Sequence, residues 1–344
     1  MENNVITEIE ETEGTSSAPK KKSGANESRF TLPESFDVRT GPYIKRSERA
    51  GAIMLDVVIA LLPAFIWGCI AFGVKALTLG LISVGVALVS EFVSNAVMKQ
   101  REALFDMSAV VTGLLVAMCL PVNVPVWMPI VGSFFAIVVV KQCFGGLGKN
   151  IFNPAAAAIV LLSAGERALS YYFSTAPGAF SNTEAILPLV ALKNGVLPSD
   201  SILDLVIGNC AGAIGEVSSL LLIAGGAYLI LRRVISWHIP AAFIGTVAAV
   251  TLIFPNYNGV AVEFMAYEIL SGALILAAFF MATDYTTSPV ANSGKIIFGI
   301  GCGLITVLIR YFGSSVEGVM YAILIMNIVT HLIDKLTLPK NLKK

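Results

Sequence analysis

The sequence predicts an all-α polytopic membrane protein, and three observations carry that reading. The chain has 344 residues, of which 56% are hydrophobic and only 13% charged, whereas an ordinary globular domain carries roughly 25% charged residues. Its apolar residues fall into ten runs, and its mean hydropathy is +0.79. Glycine-rich polar breaks interrupt those runs, most sharply at Lys141 to Ala158, KQCFGGLGKNIFNPAAAA. A soluble protein this apolar could not cover its surface, so the bilayer is its main solvent. A net charge of zero gives nucleic-acid binding no electrostatic support.

Taken in order, residues 1–35 are polar, with an acidic patch (Glu8, Glu10, Glu11, Glu13) followed by Lys20, Lys21 and Lys22. They lack the apolar core of a signal peptide and read as a disordered cytoplasmic tail. Arg39, Lys45, Arg46 and Arg49 then lead into the first apolar run. The runs are Ile53–Phe72, Leu77–Val97, Met107–Leu120, Val126–Val140, Ile151–Ala164, Val217–Leu231, Ile239–Phe254, Met265–Ala282, Ile296–Ile309 and Val319–Ile333. About 20 residues cross a bilayer perpendicularly. The shorter runs must extend into their flanks, or be broken or re-entrant helices sheltered by neighbours.

Basic residues set the orientation. With the N-terminus inside, the inner loops hold Lys99, Arg101, Lys141, Lys149, Arg232, Arg233 and Lys295, and the C-terminal tail adds Lys335, Lys340, Lys343 and Lys344. The outer loops have Lys75, Arg167 and Lys193, with Arg310 near a span end. Both termini are therefore expected in the cytoplasm. The chain divides into the tail 1–35, a five-helix half 36–165, an outer-face loop 166–200, and a second five-helix half with a short basic tail, 201–344.

The halves echo each other. Thr112-Gly113 and Ser271-Gly272 mark the third and eighth runs, and Gly132 to Lys141 in the fourth matches Gly301 to Arg310 in the ninth. Five spans per half would invert the second half in the membrane, and such repeats place sites at their interface. Coincidence is the alternative.

The candidate chemistry lies mainly in the polar breaks. Gly145, Gly146 and Gly148 let the backbone turn, Lys149 and Asn150 are polar, and Asn153 caps the helix that Pro154 opens. Thr283 to Pro289, TDYTTSP, surrounds Asp284 with hydroxyls, including Thr287, and either holds a polar ligand or caps a helix. Asn209 to Glu216, NCAGAIGE, offers backbone amides to an anion, or close helix packing. Asp56, Glu91 and Glu268 lie within or at the start of spans, where acids handle Na⁺ or H⁺ or pair structurally with Lys or Arg. The five cysteines form no CxxC pair and read as small buried residues, with Cys119 or Cys143 open to a metal shared with another subunit. His238 and His331 do not resemble a pore pair, and no nucleophilic triad, phosphate loop or metal cluster is visible.

Five stretches in order, TGLLVAMCLP (112–121), KQCFGGLGKNIFNPAAAA, GNCAGAIGE (208–216), FFMATDYTTSP (279–289) and IRYFGSSVEGVMYAILIMN (309–327), resemble the D subunit of the Rnf complex, the ion-translocating ferredoxin:NAD oxidoreductase. They are similar, more distantly, to the B subunit of Na⁺-translocating NADH:quinone reductase. The resemblance covers residues 36 to 340. It implies ten transmembrane helices in two inverted five-helix repeats, like ammonium and urea transporters, in the cell (inner) membrane. It implies a flavoprotein, surrounded by membrane lipid, that relays electrons between ferredoxin and NAD with subunits A, B, C, E and G, coupled to Na⁺ or H⁺ movement. It also implies non-covalent riboflavin, and FMN attached through its phosphate to a threonine between the halves.

On that resemblance, Lys141, Gly145, Gly146, Lys149, Asn150, Asn153, Asn209, Glu216, Thr283, Asp284 and Thr287 are expected at the flavin, with Asp56, Glu91 and Glu268 on the ion path. No resident metal and no complete active site are expected in this chain. The attachment residue departs from the pattern. PLVALKNG (188–195) matches the run that succeeds the acceptor threonine, but the residue before it is Leu187. Leucine has no hydroxyl for a phosphoester, and Thr183 and Thr175 lack the flanking pattern, so covalent FMN at the usual position is not expected. A transporter or channel without a redox role, or a scaffold that has lost its flavin, are the alternatives.

Overall fold

Long apolar runs in hydrocarbon must satisfy their own backbone groups, and helices do so. The computed structural model describes residues 50–98, 106–146, 148–165, 187–216, 218–257 and 259–337, and their regular elements are all helical. The N-terminal tail, Arg167, Thr175, Thr183 and the last lysines lie outside the described residues.

The first half contains α1 (Ala50–Phe72), α2 (Val74–Val97), α3 (Ser108–Met118), α4 (Trp127–Phe134) and α5 (Pro154–Gly165). The fourth apolar run does not stay α-helical. It passes from α4 into a π-helix, Phe135–Gln142, which ends on i→i+5 bonds from Cys143 N–H to Val138 and from Gly146 N–H to Lys141. Such bulges change which way the following side chains face and recur at functional sites.

The expected outer loop, 166–200, holds the short helix α6 (Pro188–Lys193), and a second short helix, α7 (Ile202–Ile207), lies just beyond it. Pro188 opens α6 at its first position, and Ser201 with Asp204 forms a capping box on α7. The second half holds α8 (Ser219–Leu231), α9 (His238–Ile253), α10 (Ala261–Leu270), α11 (Leu274–Phe280), α12 (Asn292–Phe312) and α13 (Val319–Thr337). The eighth apolar run, expected as Met265–Ala282, is two helices. α10 and α11 meet at 58° across Ser271-Gly272-Ala273.

Four helices, α1, α2, α12 and α13, are long and apolar enough to cross a membrane, and the bent α10–α11 pair makes a fifth such unit. Five shorter apolar helical units accompany them. Large apolar side chains line the outside, such as Ile66, Ile70, Val89 and Phe92. Water would penalise that surface and lipid does not. The chain is a multi-pass membrane protein.

Glycines set the close packing. α9 and α12 run parallel, with Gly299 against the Ile239 carbonyl and Gly303 against that of Phe243. A Cβ at either position would meet those oxygens at 2.9 and 3.0 Å, so the four-residue glycine spacing is what lets the backbones approach. α1 and α8 run antiparallel, because Gly225 meets Ala60 while Tyr228, further along α8, bonds Asp56.

Candidate functional site

Helices α3, α5 and α11 each run between two cavities. Ser108, Pro154 and Thr283 mark one end, and Cys119, Ser163 and Gly272 the other. Eleven residues of α3 separate the two, which at 1.5 Å per residue is about 16 Å.

At the first end the π-helix delivers Lys141 into the protein, where it is 3% exposed. Its ammonium donates to the Glu91 carboxylate of α2 and to the Ser108 hydroxyl, and the Ser108 backbone N–H and hydroxyl donate in turn to Asp106 at 3.0 and 2.5 Å. The glycine turn then reverses the chain, with Gly145, Gly146 and Gly148 at φ of 107°, 89° and 87°. These are left-handed values that favour glycine. The Asn153 Oδ1 accepts from Ala156 N–H, capping α5, and its Nδ2 donates to the Met281 carbonyl at the end of α11, both at 3.0 Å. Oriented to satisfy both sides of its amide, Asn327 of α13 accepts from Asn153 N–H at 2.9 Å and donates to the Thr287 carbonyl at 3.3 Å.

The Asp284 carboxylate accepts from the Thr286 and Thr287 hydroxyls at 3.0 and 3.4 Å, and the Asn150 side chain bonds it too. Burial pushes its pKa up against those hydrogen bonds. This end encloses about 80 Å³, lined by Lys141, Asn150, Asn153, Thr283 and Asp284. That is room for waters or an ion, while pockets that take drug-sized ligands enclose roughly 300–1,000 Å³.

The second end is larger. Its cavity of about 660 Å³ is lined by Cys119, Leu187, Leu189, Glu216, Ser271, Gly272, Glu317, Met320 and Tyr321 among others. Behind its wall, 2% exposed, the Arg310 guanidinium donates to the Glu268 carboxylate at 2.7 Å, to the Glu268 backbone carbonyl at 2.6 Å and to that of Ser271 at 3.2 Å. Glu317 lies 3.7 Å from the same guanidinium and accepts from Ala273 N–H, the first free amide of α11, at 3.2 Å. Gly272 sits at φ +70°, and a Cβ there would meet Leu189 and Glu317 at 2.5 and 2.6 Å. Glu216 accepts from Ala213 N–H within its own glycine turn at 3.4 Å. Burial pushes the pKa of both Glu216 and Glu317 up. The charge of Glu317 raises Glu216 further, while Arg310 holds Glu317 back.

The expected site residues therefore divide. Lys141, Asn150, Asn153, Thr283, Asp284 and Thr287 gather with Gly145 and Gly146 at the first end, with Lys149 exposed beside them. Glu216 stands at the other cavity, while Asn209 is exposed and donates to Asp204 at 3.4 Å. Each acid expected on an ion path pairs with a base: Glu91 with Lys141, Glu268 with Arg310, and Asp56 with Arg232, whose side chain is 59% exposed. Lys141 and Arg310 are thus already neutralised by carboxylates, which leaves neither as a free cation for a bound anion. Ser108, Ser271 and Glu317 were not among the expected residues. Glu317 stands in the run SSVEG, whose glycine and serines mark a loop and give no sign of the buried arginine it faces.

The family model described as the NQR2, RnfD, RnfE family matches residues 37–343. The chain is 44% identical over 304 residues to the D subunit of the Na⁺-translocating ferredoxin:NAD⁺ oxidoreductase complex of Acetobacterium woodii, covering 87% of this chain and 93% of that one. It is 39% identical to the D subunit of the proton-translocating ferredoxin:NAD⁺ oxidoreductase complex of Clostridium ljungdahlii, covering 88% and 95%. The D subunit of an ion-translocating oxidoreductase complex of Escherichia coli is 33% identical, covering 89% and 97%.

Proposed function

Because the chain belongs to the NQR2, RnfD, RnfE family, we propose that it serves as the D-type membrane subunit of an ion-translocating ferredoxin:NAD⁺ oxidoreductase complex and relays electrons through a non-covalently bound flavin. The observation that carries this is near-full-length similarity to D subunits, joined to a ring-sized cavity walled by Leu187. The bent unit and the nine other apolar helical units would be ten spans in two inverted halves, with both termini cytoplasmic. The Lys141 end then faces the cytoplasm and the Arg310 end faces outward.

The flavin supplies one- and two-electron chemistry when bound. The chain positions it and excludes water. The walls of the 660 Å³ cavity mix apolar side chains such as Leu187, Leu189 and Met320 with polar ones, Ser271, Ser315, Tyr321, Glu216 and Glu317 among them. The covalent mode does not fit, because Leu187, on the cavity wall, offers no hydroxyl to a phosphate. Glu91, Glu268 and Asp56 lie on the proposed ion path. A shift of proton or Na⁺ between such paired acids would bias their partners Lys141, Arg310 and Arg232. The relatives named for Na⁺ and for protons are of similar identity, so either ion suits this reading. Subunits A, B, C, E and G are the proposed partners.

The test is flavin extraction from the purified complex, with and without denaturation. Flavin released from this chain only on denaturation, with no mass added to the intact polypeptide, is the expected result. A chain without bound flavin would instead favour a scaffold or a transporter.

A further inference from the structure

The starts of two parallel helices frame a third cavity, one that takes no part in the proposed electron relay. α9 begins at His238 and α12 at Asn292. The cavity beside them, of about 180 Å³, is lined by Ser236 and Ile239 around the first start and by Ser288, Pro289, Val290 and Lys295 around the second. It adjoins the Lys141 end, with Thr283 and Tyr285 in both walls, but neither Lys141 nor Asp284 lines it.

The charge in this cavity has one sign. The first amides of a helix have no intrahelical acceptor, and the helix dipole adds positive potential there. Two such starts meet the ammonium of Lys295, which is half-buried in the first turn of α12. Among the described residues no carboxylate lines the cavity, and neither this ammonium nor the hydroxyls of Ser236 and Ser288 have a partner. The acids close by are committed elsewhere. Asp284 accepts from Thr286 and Thr287, and Asp334 accepts from the Val290 N–H at 3.1 Å. The Thr283 and Tyr285 hydroxyls donate to the Phe279 and Val234 carbonyls. What the remaining donors lack is an anionic acceptor.

Size and setting narrow the anion. A space of about 180 Å³ admits a small polar group, while pockets that enclose a whole drug-sized ligand hold roughly 300–1,000 Å³. Most of the ligand therefore stays outside, and the outside is apolar. Ile296, Ile300, Leu304 and Leu308 are exposed along α12, starting one residue past Lys295. Their four-residue spacing keeps them on one face of the helix. Trp237, exposed beside Ser236, is a residue type that marks the membrane–water boundary. Basic pockets between helices at that depth take anionic lipid headgroups.

We propose that this pocket seats the phosphodiester of an anionic phospholipid, with Lys295, Ser236 and Ser288 as its donors and the acyl chains lying along the exposed face of α12. A zwitterionic headgroup fits less well, because no carboxylate in the cavity would receive its ammonium.

The test uses the intact complex carrying the native chain, Lys295→Gln, Lys295→Arg or Lys335→Gln, the last removing an exposed lysine at the end of α13. Each complex is delipidated in detergent and titrated with phosphatidylglycerol or phosphatidylcholine, and native mass spectrometry counts the lipids retained. The native complex is expected to keep one phosphatidylglycerol that Lys295→Gln loses, and to bind it at least tenfold more tightly than phosphatidylcholine. Lys295→Arg and Lys335→Gln should keep it. Inorganic phosphate in tenfold excess over the lipid should not displace it, since the chains add to the hold. Should Lys295→Gln not assemble, Ser236→Ala/Ser288→Ala should weaken the same binding at least threefold. Equal retention with and without the lysine or the two hydroxyls overturns the site. So does equal loss in Lys335→Gln, which would mark a diffuse surface charge. Phosphatidylcholine held as tightly, or displacement by inorganic phosphate, overturns the anionic lipid as its occupant.

Discussion

The Lys141 end and the Arg310 end pose one physical problem and solve it differently. Each buries a cation to within a few per cent of full enclosure and neutralises it with a glutamate. At the Lys141 end one ammonium meets one carboxylate and a serine, and the space beside them is water-sized. At the Arg310 end one guanidinium faces Glu268 and Glu317, with Glu216 close enough to feel both Arg310 and Glu317, and the space beside them is ring-sized. A point charge on a flexible stem serves the end with the small cavity. A planar fork that reaches carboxylates and carbonyls together holds the wall of the large one. The difference teaches that a buried cation need not itself line the neighbouring cavity, since here Arg310 stands behind the wall while Glu216 and Glu317 line it.

The sharpest way to break this comparison is to remove each cation. Arg310→Met strands Glu268 and Glu317 and leaves two backbone carbonyls without their donor, so it should cost at least about 3–5 kcal/mol, the range for breaking a buried pair. Lys141→Met strands Glu91 alone and should cost about 3 kcal/mol, the low end of that range. Denaturation in detergent micelles measures both, and equal losses would dissolve the distinction.

pH separates the ends next. An acid whose folded pKa is raised binds more protons folded than unfolded above its ordinary value. Its contribution is therefore fully present below that value and is lost as pH climbs towards the folded pKa. The ordinary values are 4.5 for Glu216 and Glu317 and 3.8 for Asp284. Stability should fall as pH rises above about 5, by at most about 1.4 kcal/mol per pH unit for each acid. Glu216→Gln/Glu317→Gln should flatten the profile of thermal midpoint against pH more than Asp284→Asn does. A larger effect from Asp284→Asn would reverse the assignment of surplus acid to the Arg310 end.

Gly272→Ala tests the wall itself. Its positive φ and the crowding by Leu189 and Glu317 predict a loss of about 1–3 kcal/mol. Gly148→Ala, equally left-handed at φ +87° but with open space around it, should cost about 1 kcal/mol, the strain part alone. The same unfolding measurement compares them. The smallest effect belongs to Arg232→Ala. Its side chain is 59% exposed against 15% for that of Asp56, which also keeps the Tyr228 hydroxyl, so a loss within about 1 kcal/mol is expected, shrinking further in salt.

What the sequence disclosed depended on how local the cause was. Apolar runs are local, and helices lie over all ten of them. The asparagine cap at Asn153 and the capping residues around Ser201 are local too, although the apolar pattern alone passed over α6 and α7. The break at Ser271-Gly272 was marked by its glycine but not placed as a bend. It exists because Arg310 and Glu317, distant in sequence, take up the backbone groups it frees. The π-helix has no sequence signature, since Phe135–Gln142 reads as any apolar helix. Leu187 was legible as a departure from a pattern, but only folding shows that it faces a cavity. The pairing of Glu91 with Lys141, fifty positions away, likewise required the packing of α2 against the π-helix.

The Arg310 fork has a consequence for how the chain is made. A span broken at Gly272 exposes carbonyls that lipid cannot solvate, and their donor arrives 38 residues later in synthesis. Before α12 is made, the α10–α11 unit lacks the donor for these carbonyls, so its stable burial should depend on a residue further along the chain. Membrane-inserted chains truncated at residue 300 and released from the ribosome should leave a cysteine placed at Ala273 open to water-soluble maleimide, whereas the full-length chain should shield it. Equal labelling at both lengths would show that the broken span finds shelter without its arginine. The bend thus ties the burial of one broken helix pair to a side chain that the next helix supplies.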